Sequence, residues 1–162
     1  MLKEKILKIL NKQVNEELFS SYLYLSMSAY FSSINFEGFA KWMSLQSKEE
    51  YEHAMKIYNY ILQRDGKVTL TKIETPKTSW SSALNVFQET LKHEQHITAC
   101  IHNIVNMAIQ EKDHATTNFF QWFVTEQVEE VATAGSILEK IKMIGDSKNG
   151  LFILDRELGQ RQ

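Results

Sequence analysis

The chain has 162 residues, 43% hydrophobic and 23% charged, which is enough for one domain with a sizeable core. A net charge of −2 gives no electrostatic case for nucleic acid or an anionic membrane, and the single cysteine, Cys100, excludes an internal disulfide and any cysteine-only metal site. That cysteine usage suits a reducing compartment; no signal-peptide core opens the sequence, and no apolar run nears the ~18 residues of a membrane span, so the cytoplasm is the expected location.

Proline occurs once, at Pro76, and glycine six times, which leaves room for long helices and argues against an all-β fold. Ile6, Leu7, Leu10, Val14, Leu18 and Leu25 recur at helical spacing and predict a first helix over about residues 5–34. Ser33-Ile34-Asn35-Phe36-Glu37-Gly38 interrupts it, and a second helix follows over about 37–64. Arg64-Asp65-Gly66 stops that helix, with the glycine placed for the C-terminal cap. Residues 65–80 read as an extended connection. The capping region Ser79-Trp80-Ser81-Ser82 starts a third helix that runs to about 111. A fourth spans about 113–141 and closes at Ile144-Gly145; a short fifth, about 146–158, carries Leu151, Phe152, Leu154 and Leu158.

Connection lengths set the topology. Short corners make helices one and two, and three and four, antiparallel. A helix of ~30 residues is ~45 Å long, and a 16-residue extended segment reaches ~50 Å, so residues 65–80 can cross the whole bundle and leave helices two and three parallel. The expected fold is all-α: a ferritin-like four-helix bundle with one long crossover and a short fifth helix, as a single domain over residues 1–162.

Glu17, Glu50, Glu94 and the cluster Glu126 to Glu130 each fall within about a turn of the middle of a separate long helix. Midpoints of equal helices share one level, so these carboxylates converge in the interior. Such a cluster of negative charge is unstable unless cations neutralise it. Glu50 and His53 are one turn apart and both reach one ion. On the fourth helix, Glu126, Gln127 and Glu130 cover one side among Phe119, Phe120, Phe123, Val128 and Val131. Each glutamate has a plainer reading as solvated surface charge; for Glu17 the shared side with Val14, Leu18 and Tyr24 favours the interior. His93 and His96 flank Glu94 but point about 100° and 160° away from it around the helix, and both read as structural or surface residues.

This pattern resembles the ferritins, specifically the bacterial non-haem ferritins, over essentially the whole chain. The resemblance is carried by Asn15-Glu16-Glu17, Tyr22-Leu23-Tyr24, Glu49-Glu50-x-x-His53, Glu94 and Glu126-Gln127-x-Glu129-Glu130. By matching position it implies a first iron site of Glu17, Glu50 and His53. Glu50 then bridges to a second iron held by Glu94 and Glu130, with Gln127 as hydrogen-bonding neighbour. Glu49, Glu126 and Glu129, sharing Glu130, correspond to a third, weaker iron site. Tyr24 and Trp122 match redox-active aromatics beside the centre. The fourth helix has Gln127-x-x-Glu130 where haem-containing bacterioferritins repeat Glu-x-x-His, so no haem is expected. The segment from His114 to Phe120 lacks the carboxylates of the acidic threefold channel in animal ferritins, so iron enters elsewhere or through a weaker polar pore.

Oxygen and nitrogen donors without thiolate suit Fe(II), and carboxylates favour Fe(III) still more. Two ions bridged by Glu50 sit ~3.5–4 Å apart, and dioxygen takes one electron from each, through a transient diferric peroxo species to an oxo-bridged product. The resemblance implies a ferroxidase that stores ferric oxyhydroxide in a hollow homo-oligomeric shell of 24 subunits. Two other readings remain open on the residues alone: a di-iron oxygenase or peroxidase on the same bundle, and a metal-free helical interaction module.

Overall fold

The computed structural model describes residues 2–162. Five helices follow in order: α1 (Glu4–Ser33), α2 (Glu37–Gln63), α3 (Ala83–Gln110), α4 (His114–Ile144) and α5 (Lys148–Leu158). Among the described residues there is no strand, and no helix is long and apolar enough to cross a membrane.

The three corners after α1, α2 and α3 share one device. At each, a residue in the left-handed region follows the helix: Asn35 (φ 62°), Asp65 (φ 54°) and Lys112 (φ 56°). In each case the next backbone N–H reaches back five residues, as in Phe36 to the Phe31 carbonyl, Gly66 to Ile61 and Asp113 to Ala108. This is the Schellman closure, which satisfies carbonyls the helix end leaves bare. After α2 the structure departs from the sequence expectation, because Asp65 takes the left-handed position and Gly66 the next one. Gly66 is needed there for space: a Cβ would lie 2.8 Å from the Ile61 side chain. At the starts, the Ser82 and Asp113 side chains accept the Asn85 and Thr116 amides and cap α3 and α4.

The crossover, residues 64–82, has no regular structure and lies along α1. Asn11 exchanges hydrogen bonds with Lys67 and Thr69, Asn15 donates to the Thr71 and Lys72 carbonyls, and Ser26 donates to that of Lys77. Rising numbers on α1 meet rising numbers on the crossover, so the two run the same way. The segment therefore returns the chain to the end where α2 began, and α3 runs parallel to α2, as the connection lengths predict.

Two apolar clusters fill the bundle. One end packs Met27, Phe31, Phe39, Met43, Phe87, Leu138 and Ile141 with Trp80 and with Leu154 and Leu158 of α5. The other packs Ile6, Leu10, Ile57, Ile61, Ile101, Ile104, Phe120 and Phe123. Walking along each long helix passes from one cluster to the other through a buried polar stretch: Gln13, Glu17 and Ser20; Gln46, Glu50 and His53; Thr90 and Glu94; Gln127 and Glu130. The core is thus cut at mid-height by a polar layer. Its apolar halves fix that layer's depth, since sliding one helix past another would unpack both.

α5 seats on the start of α2. The Asp155 carboxylate accepts the Phe39 amide at 2.9 Å. A Cβ at Gly38 would sit 1.7 Å from the Asp155 carbonyl oxygen, so only glycine permits this approach.

Candidate metal centre

Each long helix sends carboxylates into the polar layer. Glu17, Glu50 and Glu94 are 1%, 2% and 2% exposed, and Glu130 is also buried. Ligand atoms of Glu17, Glu50 and His53 lie within 4.8 Å of one another, and so do those of Glu50, Glu94 and Glu130. Glu50 belongs to both groups, the arrangement a carboxylate bridging two ions requires. A third group, His53, Glu126 and Glu130, adjoins them.

The hydrogen bonds leave ligand capacity free. Gln13 donates to Glu17 Oε1 at 2.8 Å, while Glu17 Oε2 is buried without any partner. An orphaned buried carboxylate oxygen costs desolvation with nothing in return, and a cation at this point supplies the missing partner. Gln46 donates to Glu50 Oε1 (3.1 Å) and Glu130 Oε2 (2.7 Å), and His53 Nδ1 lies 3.3 Å from Glu50 Oε2. Tyr24 donates its phenolic hydrogen to Glu94, and Gln127 donates to Glu94 Oε2 and Thr98 Oγ1, both at 3.2 Å. Gln127 thus ties a layer carboxylate of α3 to α4.

Electrostatics tell the same story. Burial, then the Glu50 carboxylate, pushes Glu17 well above the usual carboxylate range. Burial, then Glu94 and Glu130, does the same to Glu50. Burial raises Glu94 against the pull of its Tyr24 and Gln127 hydrogen bonds, and burial followed by Glu94 pushes Glu130 to about 7. Burial and mutual repulsion thus favour the protonated form of these carboxyls. Divalent or trivalent cations displace those protons and compensate the charge far better. The donor set, carboxylates with one imidazole and no sulfur, fits iron and manganese better than soft metals.

The remaining sequence-derived residues are placed unevenly. Glu126 joins His53 and Glu130, with His53 Nε2 4.0 Å from Glu126 Oε1. Glu49 is ion-paired with Arg161, and Glu129 is exposed and outside all three groups. Tyr24 is fully buried beside Glu94. Trp122 is partly exposed, with its ring edge-on to His53 at 5.4 Å and Lys56 Nζ 3.5 Å over its face.

Three supporting residues were not singled out from the sequence. Gln13 and Gln46 each precede a centre glutamate by four residues, a helical hydrogen-bonding spacing that was there to be read. Arg161 gave no signal. It lies in the tail beyond α5, stacks on Trp42 at 4.8 Å and donates to Gln46 Oε1 at 2.9 Å. By occupying the amide oxygen it turns the Gln46 NH₂ toward the two carboxylates.

An up-down-down-up bundle with one long crossover and a buried carboxylate–histidine layer defines the class of ferritin-like metal proteins. The comparisons place the chain within it. A family model described as the ferritin-like domain matches residues 7–144. Bacterial non-heme ferritin of Bacteroides fragilis is 45% identical over 161 residues, covering 99% of this chain and all of that protein. The Staphylococcus aureus (strain MRSA252) protein of that name is 40% identical, over 99% of this chain and 97% of its own. Among solved structures, an open pore ferritin from the hyperthermophilic archaeon Archaeoglobus fulgidus superposes with a TM-score of 0.99 at 48% identity, each chain covered in full. The chain belongs to the ferritin family.

Proposed function

We propose that this protein is the subunit of an iron-storage ferritin, a single ferritin-like domain over residues 1–162, whose polar layer is a ferroxidase centre. Fe(II) is the substrate, taken first by Glu17, Glu50 and His53 and then by Glu50, Glu94 and Glu130. The observation that carries this reading is the partnerless Glu17 Oε2 facing a group of carboxylates that burial has made costly to ionise. Two bridged irons each give one electron to dioxygen, which reaches the peroxide level without free superoxide. Tyr24, bonded to Glu94, supplies or traps an odd electron; Gln127 orients Glu94, and Trp122 is a second redox-active ring beside His53. A third iron sits on Glu126 and Glu130, with Glu49 joining once Arg161 releases it and Glu129 collecting iron from the exposed side.

Oxidised iron then moves to a ferric oxyhydroxide core within a hollow homo-oligomer of 24 subunits in the cytoplasm. Large apolar side chains left exposed on the single chain, among them Leu25, Tyr51, Leu70 and Ile153, support burial by further copies. A large groove lined by Leu7, Asn11, Asn15, Lys67 and Met107 runs along α1 and the crossover, and no centre carboxylate lines it. It therefore gives no support to an oxygenase with an organic substrate.

The test is repeated aerobic addition of Fe(II) to the intact oligomer, well beyond the centre's capacity, followed by particle mass and electron microscopy. Continued oxidation with a growing electron-dense core is expected. Oxidation that stops once the centres are filled, with no core, would instead support an oxygenase or peroxidase.

A further inference from the structure

A second cluster of metal-binding side chains lies outside the polar layer, between α1 and α3. His96 Nε2 is 3.2 Å from Glu16 Oε2 and 3.7 Å from Cys100 Sγ, and ligand atoms of all three residues lie within 4.8 Å of one another. Glu16 precedes Glu17 on α1 and so projects about 100° away from it around the helix axis, outward where Glu17 faces in. His96 and Cys100 are four residues apart on α3, one above the other. The iron centre uses none of them.

We propose that Glu16, His96 and Cys100 form a separate site for one divalent cation of the zinc class. A tetrahedral ion with Zn–N and Zn–O bonds of ~2.0–2.1 Å and a Zn–S bond of ~2.3 Å separates its nitrogen and oxygen ligands by ~3.3 Å, and its nitrogen and sulfur by ~3.6 Å. The 3.2 and 3.7 Å separations already present match the two edges that meet at His96 Nε2, and the Glu16 and Cys100 ligand atoms lie within 4.8 Å of each other. The donor set makes the choice of metal. One thiolate with one imidazole and one carboxylate suits zinc and cobalt, whereas the all-oxygen and imidazole centre suits iron. His96 is exposed and Glu16 and Cys100 are partly so, which gives an ion access from solvent and leaves the fourth position to water.

Binding exchanges a proton for the metal: the Cys100 S–H bond breaks, its hydrogen leaves as H⁺, and a sulfur–metal bond forms. Burial, then Glu16, holds the thiol above its usual value, so without metal Cys100 stays protonated and unreactive. The neighbouring cation, Lys12 Nζ, is 4.0 Å from Glu16 Oε1 and leaves Oε2 to the site. An ion held here would tie α1 to α3 from outside the bundle.

The probe is Co(II), added without oxygen to the intact reduced oligomer. Only a cobalt–sulfur bond produces thiolate-to-metal charge-transfer absorption, and the chain has one cysteine, so cobalt in the iron centre is silent in this band. The band is expected to saturate at one cobalt per chain and to vanish in Cys100→Ser. In His96→Ala and in Glu16→Gln it should need at least ~10-fold more cobalt, the loss that even an outer-shell partner causes. Cys100→Ser should oxidise Fe(II) at the parent rate. Absence of the band would overturn the proposal. So would a band equally strong in His96→Ala and Glu16→Gln, which would mark simple binding to a thiol. Neither result bears on the iron centre.

Discussion

Glu17 sets the terms at the scale of single residues. Its Oε1 is bonded and its Oε2 is not, so its carboxylate is the least compensated group of the layer. Replacing it by glutamine removes a carboxyl that must take up a proton on burial, and keeps the shape. Glu17→Gln is expected to raise the thermal midpoint of the metal-free protein by about 2–4 °C, as ~1 kcal/mol does in a chain of this size, and to slow Fe(II) oxidation by ~10-fold or more. Calorimetry after chelation and stopped-flow absorbance check the two halves. A surface glutamate would show neither change. The pH dependence follows from the same groups. Each centre carboxyl binds its proton more tightly folded than unfolded, so its contribution to stability is fully present below the ordinary glutamate value of about 4.3 and is lost as pH rises through its folded value. For Glu130 that loss runs up to about 7. The metal-free protein should therefore lose midpoint temperature as pH rises from about 4.3 through about 7, and the metal-loaded protein should not, because bound cations have already displaced those protons. The four glutamates were legible in the sequence because each falls near the middle of a separate long helix. Gln13 and Gln46 were equally legible by spacing, but glutamine on a helix is common enough to pass as surface.

Elements are held in register by their corners and by α5. Lys112 occupies a left-handed conformation that costs a side-chain-bearing residue ~1–2 kcal/mol and glycine almost nothing. Lys112→Gly should accordingly stabilise the corner between α3 and α4 by about 1 kcal/mol, seen as a higher denaturant midpoint with unchanged slope. Gly38→Val should act in the opposite sense. Any side chain there displaces the Asp155 backbone, so α5 should lift from α2 and Arg161 should lose Gln46, which limited proteolysis of the tail reports directly. The helix boundaries and the crossover could be read from breakers and capping residues, since these act locally. The choice of Asp65 over Gly66 for the left-handed position could not, because it depends on the space beside Ile61. Arg161 was invisible for a related reason: its reach to the centre exists only after α5 has docked.

At the scale of the molecule, two apolar clusters clamp one polar layer, whose buried carboxylates need protons or cations to neutralise them. The carboxylates' convergence was legible because equal antiparallel and parallel helices share a midpoint. How the outer glutamates divide was not, because that depends on side-chain direction: Glu126 turns toward His53 while Glu49 turns to Arg161. On the proposed function, the layer binds two irons through one shared carboxylate. Anaerobic titration of the chelated oligomer with Fe(II), read by calorimetry, tests it most directly. Two tight Fe(II) per chain are expected in the parent, one in Glu130→Ala, and almost none in Glu50→Ala. A parent that binds no Fe(II), or a Glu50→Ala variant that binds as many as the parent, would contradict it.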